Sequence, residues 1–278
     1  MIGPRHSATT TLSLRSIAER ASHQIVLRRR LPAPFDRTRI YVSSEAGLKY
    51  LRPRLTGVDP ILLGLVREVI RTSNTVWDIG ANTGLFAFAA AAVAGPGGTV
   101  LAVEPDTVMV NLLRRSTALP GKRAGIDVLP VAVAADPGVS RFCIAARNRA
   151  TNHIEGFGSS QTGGVRAVQV VPTITLDSLL DHFPAPDVLK IDVEGAERLV
   201  LEGGLRLLRE TRPTIICEVA PANAGQVTKI FTEHGYRIFD ASHPAGTREP
   251  VDSAPWATLA LAAGRSDRPA TTDEGQRR

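Results

Sequence analysis

Asp78, Gly80, Asn82 and Gly84 alternate through the run Val76-Trp77-Asp78-Ile79-Gly80-Ala81-Asn82-Thr83-Gly84. An apolar stretch leads into this run and a helix-forming stretch leads out of it, so it reads as strand, tight turn, helix. Glycines at such a turn let backbone approach a ligand closely. The first turn of the helix offers free N–H groups and the positive end of its dipole, which suit a carboxylate. The next apolar stretch closes on Val103-Glu104-Pro105-Asp106. A carboxylate at that strand end can accept both hydroxyl hydrogens of a ribose. The bland alternative is that the glycines serve only the turn and Glu104 only caps a helix.

The charge of Asp78 selects among ribose-bearing ligands. A carboxylate at the tip of the first strand repels a diphosphate and suits an ammonium group. S-adenosylmethionine carries ammonium, carboxylate and ribose without phosphate, and is the expected cofactor, with S-adenosylhomocysteine as product. Asn82 occupies the second glycine position of the dinucleotide fingerprint, and the phosphate-loop pattern is absent. A nicotinamide-dependent oxidoreductase is therefore the weaker reading. A non-catalytic module that keeps the crevice is a third.

Candidate catalytic groups follow the fourth body strand. Asp192 and Glu194 end that strand beside the first, so both face the crevice; Asp192 is the favoured base or orienter and Glu194 the second. They would equally serve structure, Glu194 capping the helix that begins near Gly195 and Asp192 holding loop amides. His153, in the loop Ala150-Thr-Asn-His-Ile-Glu155, is a third candidate, overhanging the acceptor. Lys190 lies inside a buried strand and must be paired, with Glu218 on the next strand its expected partner. Asp177 is expected to cap or orient the helix it begins. Two carboxylates could hold a divalent cation, but nothing fixes a third ligand, so no metal site is expected.

These groups need a scaffold. Short apolar strands are expected at Thr75–Ile79, Thr99–Val103, Ile126–Val133, Val188–Ile191 and Thr214–Val219. Helices are expected at Gly84–Val93, Val108–Thr117, Thr175–His182, Ala196–Leu208 and Ala224–His234. Such alternation implies an α/β, Rossmann-like parallel sheet covered on both faces. Arg141–Ala145 and Val165–Val171 read as a hairpin, and Tyr236–Phe239 with Trp256–Ala262 as a closing pair. Asp59 followed by Pro60 opens a helix to about Arg71, within a helical segment, 39–73, that packs on a body of 74–263.

Composition bounds the rest. The 278 residues carry a formal net charge of +6, and residues 1–38 hold seven Arg against only Glu19 and Asp36. That arm is expected to be poorly ordered, with a short helix from Leu14 to Leu27, and 264–278 to be a disordered tail. Basic residues are not interleaved with aromatics, so no nucleic-acid partner is expected. Cys143 and Cys217 lack the spacing of a zinc site or a disulfide framework. No apolar run is long enough to span a bilayer, and the chain reads as cytoplasmic.

The ordered series of motifs resembles the FkbM family of S-adenosylmethionine-dependent methyltransferases. It comprises Trp77-Asp-Ile-Gly-Ala-Asn-Thr-Gly84, Val103-Glu-Pro105, Val131-Ala-Val-Ala-Ala-Asp136 with Gly138, Thr175-Leu-Asp177, Leu189-Lys-Ile-Asp-Val-Glu-Gly-Ala-Glu197 and Arg212-Pro-Thr-Ile-Ile-Cys-Glu218. Together these cover roughly residues 74–240. The resemblance implies a class I methyltransferase fold, a seven-stranded and mostly parallel sheet with an antiparallel last strand. It implies a hydroxyl acceptor on a sugar, polyketide or other small molecule. By the same resemblance Asp78, Gly80, Asn82 and Gly84 line the methionine end, Glu104 holds the ribose and Asp136 lies near the adenine. The helix after Glu104 ends Ser116-Thr117, where the family usually has an Asn, which leaves the adenine contacts open.

Overall fold

The computed structural model describes residues 25–55, 57–158 and 162–264. The chain enters through an antiparallel pair, β1 (Val26–Arg30) and β2 (Arg39–Ser43). Helix α1 (Pro60–Val69) follows, with Asp59 as its N-cap accepting from Leu62 N at 3.1 Å and Pro60 in its first turn. The body then alternates: β3 (Thr75–Ile79), α2 (Leu85–Ala94), β4 (Thr99–Val103), α3 (Thr107–Thr117) and β5 (Gly125–Leu129). Pro130 cannot donate to a ladder; beyond it β6 (Ala132–Val133) leaves for a second sheet. The single strand expected over Ile126–Val133 is thus two.

That second sheet also contains β7 (Gly138–Ala145), β8 (His153–Ile154) and β9 (Val165–Ile174), in the order β6-β9-β7-β8. The expected hairpin is present with longer strands. The chain returns through α4 (Leu176–Leu179), β10 (Val188–Ile191), α5 (Glu197–Glu202) and α6 (Leu205–Glu210). It closes with β11 (Thr214–Glu218), α7 (Ala224–Glu233), β12 (Tyr236–Asp240) and β13 (Ala257–Ala262). The helix expected from Ala196 to Leu208 is broken at Gly203-Gly204. Glycine is a poor helix former, and the second half has its own cap: Asp177 accepts from Arg206 N and Leu207 N at 3.0 and 2.9 Å. Asp177 therefore caps α6, while Thr175 caps α4 by accepting from Ser178 N.

The main sheet has the strand order β12-β13-β11-β10-β3-β4-β5. All neighbours are parallel except β13, which runs antiparallel to β11 and β12. This is the sheet that the resemblance implies. One core, with the nearly all-apolar α2, α1 and the β1–β2 pair, covers one face; the other packs α4 to α7.

Two expectations about the N-terminal region change. The arm expected over 1–38 is ordered from β1 onward, and Val26 and Leu27 are strand residues rather than the end of a helix. Residues 1–24, with the rest of that helix, and 265–278 of the expected tail lie outside the described residues. Among the described residues of the segment 39–73, only Pro60–Val69 is α-helix; β2 packs on α3, where Tyr41 N donates to Ser116 Oγ at 2.8 Å. Among the described residues no helix is long and apolar enough to cross a membrane.

Candidate active site

β3 and β10 are adjacent and parallel, with Lys190 opposite Asp78. Opposed residues share a face, so the Lys190 ammonium lies 3.1 Å from Asp78 Oδ1. It is also 3.2 Å from Asp192 Oδ2 and donates to Gly80 O at 3.0 Å. Burial works against the ammonium, but Asp192, Asp78 and Glu218 together raise its pKa. Lys190 is paired, as a buried lysine must be, but its close partners are Asp78 and Asp192 rather than Glu218, which acts at longer range. The geometry also corrects the reading of Asp78. It is fully buried, and the cation that faces it is Lys190. Burial nonetheless raises its pKa.

The turn after β3 is shaped by the protein itself. A Cβ on Gly80 would stand 1.9 Å from the Asp192 carbonyl, and one on Gly84 would strike Leu113 and Phe88 at 2.7 Å. Both glycines have positive φ. Gly80 still rims the crevice, whereas Gly84 is turned into the packing of α2 against α3. Asn82, left-handed at φ 50°, donates its N–H to Glu104 Oε2 at 2.7 Å. Asp106 N donates to Glu104 Oε1 at 2.8 Å. Burial lifts the Glu104 pKa to about 7 even though these two amides lower it. Glu104 and Asn82 line a cavity of about 560 Å³ whose far walls include Val131, Val133, Phe142 and Ile154.

Over that cavity hangs a short turn, Arg149–Thr151, which sequence reasoning passed over. Arg149 makes a two-pronged contact with Asp106 at 2.9 and 2.7 Å and also pairs with Glu45. Asn152 Nδ2 donates to Asp106 Oδ2 at 2.7 Å. Asp106 also caps α3 through Val108 N. The only signal was Asp106 directly after Glu104-Pro105; nothing in the sequence ties it to Arg149, 43 residues on.

Two expected site residues lie elsewhere. His153 is 8% exposed on β8, its Nδ1 against Thr151 O at 3.1 Å and its ring against Gly158, and it lines none of the cavities described here. Its place in a strand, opposite Cys143, turns it inward. Asp136 is exposed in the turn before β7, where its carbonyl accepts from Thr173 Oγ1. The far wall of the 560 Å³ cavity is apolar instead.

Asp192 and Glu194 border the 560 Å³ cavity and two neighbours, of about 790 and 1510 Å³. Asp192 is held by Lys190 with its side chain 28% exposed. Glu194 has a left-handed backbone, φ 52°, a conformation that collects at functional sites. It does not cap the next helix, α5, which has no side-chain cap, and the Gly195 amide ahead of that helix is taken by Glu197. Burial, then Asp192 and Glu197, raise the Glu194 pKa to about 7. Glu218 at the end of β11 is raised to about 8 by burial and Asp192. The 790 Å³ cavity passes from the Gly80–Asn82 turn to Lys49, Tyr50 and Trp256. The larger, open one is floored by Glu218 and walled by Phe157 and Trp256. Among the described residues no cluster of three or more His, Cys, Asp or Glu is arranged to hold a metal ion.

Residues 78–238, more than half of the chain, match the family model described as the methyltransferase FkbM domain. The chain is 27% identical over 174 residues to the hexuronic acid methyltransferase AglP of Haloferax volcanii, across 62% of this chain and 67% of that protein. Among solved structures it is similar to methyltransferase FkbM from Methylobacillus flagellatus KT, with 18% identity and a TM-score of 0.44. That match covers 68% of this chain and 43% of the other. It is also similar to an S-adenosylmethionine-dependent O-methyltransferase of Thermotoga maritima, at 12% identity and a TM-score of 0.41, over 74% and 65% of the two chains. The chain thus spans less than half of the Methylobacillus protein and just under two thirds of the Thermotoga one.

Proposed function

This chain belongs to the FkbM methyltransferase family, and on that premise we propose that it methylates a hydroxyl of a sugar or other small molecule, with S-adenosylmethionine as donor. Bound at this crevice, the donor supplies a methyl on a sulfonium that an acceptor oxygen takes by in-line displacement, leaving a neutral thioether.

The chain's own groups fit that chemistry. Glu104 is fixed by two backbone amides, which leaves its outward lone pairs for the ribose hydroxyls. Val131, Val133, Phe142 and Ile154 give a flat purine apolar walls. The uncapped head of α2 and Lys49 suit the methionine carboxylate. The charge argument made for Asp78 now belongs to the whole cluster. One buried ammonium, Lys190, faces two carboxylates, Asp78 and Asp192. Such a surplus of carboxylates attracts a cationic donor and repels a diphosphate.

Asp192, held by Lys190, orients the acceptor hydroxyl, and Glu194 takes its proton as the oxygen–methyl bond forms. A carboxyl with a pKa near 7 is suited to that exchange. The observation that carries the reading is the placing of Glu104, Asp192 and Glu194 around one cavity at the carboxyl ends of β3, β4 and β10, where the chain reverses its winding direction. Calorimetry with S-adenosylhomocysteine and with a nicotinamide dinucleotide tests it. Binding of the first alone is expected; tight dinucleotide binding without the first rejects the reading.

A further inference from the structure

Trp256 is the most exposed of the large apolar side chains around these cavities. It is 57% exposed, although its backbone is pinned by Val219 N donating to its carbonyl at 2.9 Å. It lines both the 790 and the 1510 Å³ cavities beyond Asp192 and Glu194. It also lines a fourth space, a shallow groove between α1 and β13 of about 350 Å³ counted out into the open solvent at its mouth. Glu218 borders all three.

The groove differs in chemistry from what it joins. Besides Asp59, Lys190, Glu218 and Thr258, its lining is apolar, with Ile61 and Leu65 on one side and Ile216, Ala241 and Ala257 on the other. Ile61, on the outer side of α1, is 39% exposed. Ile61 and Trp256 at its lips hold apolar surface in water that an apolar group seated there would cover. Its mouth opens where an acceptor must stand to reach Asp192 and Glu194, because Asp59, Leu62, Lys190, Glu218 and Trp256 belong to groove and cavity alike.

We propose that the acceptor is amphiphilic, with its hydroxylated part against Asp192, Glu194 and Glu218 and an apolar substituent in the groove between α1 and β13. Trp256 is the wall between the two compartments and a positioning residue for the acceptor. The indole face stacks on the hydroxylated ring, and the groove holds an alkyl or aryl group attached to it. This rests on the reading of the carboxylate cavity as the acceptor side, and it commits the acceptor class to hydroxylated molecules with an apolar tail. A wholly polar acceptor would leave the groove wet.

The test uses the full chain and two probes, hexyl β-glucoside below its micelle concentration and methyl β-glucoside. The readout is tryptophan emission, since the second tryptophan, Trp77, is fully buried. Each buried methylene gives about fourfold in affinity, the equivalent of about 0.8 kcal/mol. Hexyl glucoside is therefore expected to shift the emission saturably at a concentration at least tenfold lower than methyl glucoside. Ala257→Leu, which fills the groove, and Ile61→Asp, which charges its lip, are each expected to weaken hexyl glucoside fivefold or more. Both should leave the weak methyl glucoside response in place. S-adenosylhomocysteine affinity of the same samples reports separately on folding and on the donor reading. Equal affinity for the two glucosides, or an Ala257→Leu variant that binds hexyl glucoside as well as the parent, overturns the proposal, whatever the donor titration shows.

Discussion

The Lys190 ammonium and the Asp78 carboxylate form a buried ion pair across β10 and β3, 3.1 Å apart, beneath the turn that rims the crevice. Removing Lys190 leaves the Asp78 charge buried and unmet, which costs about 3–5 kcal/mol; removing Asp78 costs less, because Asp192 still faces the ammonium at 3.2 Å. Lys190→Met and Asp78→Asn are each expected to lower the melting temperature markedly. The double variant should lose less than the sum of the two, because Lys190→Met strands the carboxylate that Asp78→Asn removes. Thermal unfolding of the three variants measures the coupling, and additive losses would show that the two charges do not stabilise each other.

How this pair escaped the sequence reading shows where such reading stops. The strands that carry the site announce themselves as apolar runs between turn residues, so β3, β4, β10 and β11 fall where Thr75, Thr99, Val188 and Thr214 predict. Glu104 was legible for the same reason: a strand end fixes where its carboxylate stands. The register between strands is not written in either strand alone, so Lys190 could be said to need a partner but not which one. Asp78 looked free because nothing in its own segment shows that Lys190 lies opposite. His153 failed on the same ground, since two residues of strand pairing with β7 turn it inward. The Arg149–Asp106–Asn152 contacts join segments 43 and 46 residues apart, and only folding brings them together.

Glu104 carries the clearest prediction for the donor. Its oxygens are held in place by Asn82 N and Asp106 N, and a hydrogen bond to a charged group contributes roughly 1.5–3 kcal/mol. Glu104→Ala is expected to weaken S-adenosylhomocysteine roughly ten- to hundredfold by calorimetry while circular dichroism keeps its native form. Affinity equal to that of the parent would take Glu104 off the ribose.

For the acceptor step the pH profile is decisive. Glu194 accepts a proton only as carboxylate, and its pKa is lifted to about 7. The methyl-transfer rate under saturating donor is expected to rise with pH through that value and then level off. Glu194→Gln should lose roughly a hundredfold or more, the usual contribution of a positioned base, and should flatten the rise. A variant that keeps both the parent rate and the parent profile assigns the proton to another group, with Glu218 next in reach.

The same raised carboxyls set how stability varies with pH. Glu104 and Glu194 are lifted to about 7 and Glu218 to about 8, against an ordinary value of 4.5. Each holds its proton more tightly folded than unfolded, so the stability it contributes is complete below about pH 4.5 and is lost as pH rises through 7 to 8. Glu45 runs the other way. Desolvation resists its charge, but Arg149 and Arg166 lower its pKa to about 2, so its contribution is kept above pH 4.5 and lost only in stronger acid. The ligand-free protein should therefore melt highest near pH 5 and several degrees lower or more by pH 8.5, since even 1 kcal/mol moves a chain of this size by about 2–4 °C. Ribose hydroxyls donating to Glu104 favour its charged form, so S-adenosylhomocysteine should raise the melting temperature more at pH 8 than at pH 5 and flatten the slope. Scanning fluorimetry across this range, with and without the ligand, checks both halves. A ligand-free profile that is level from pH 5 to 8.5 would mean these carboxyls stay ionised in the folded protein.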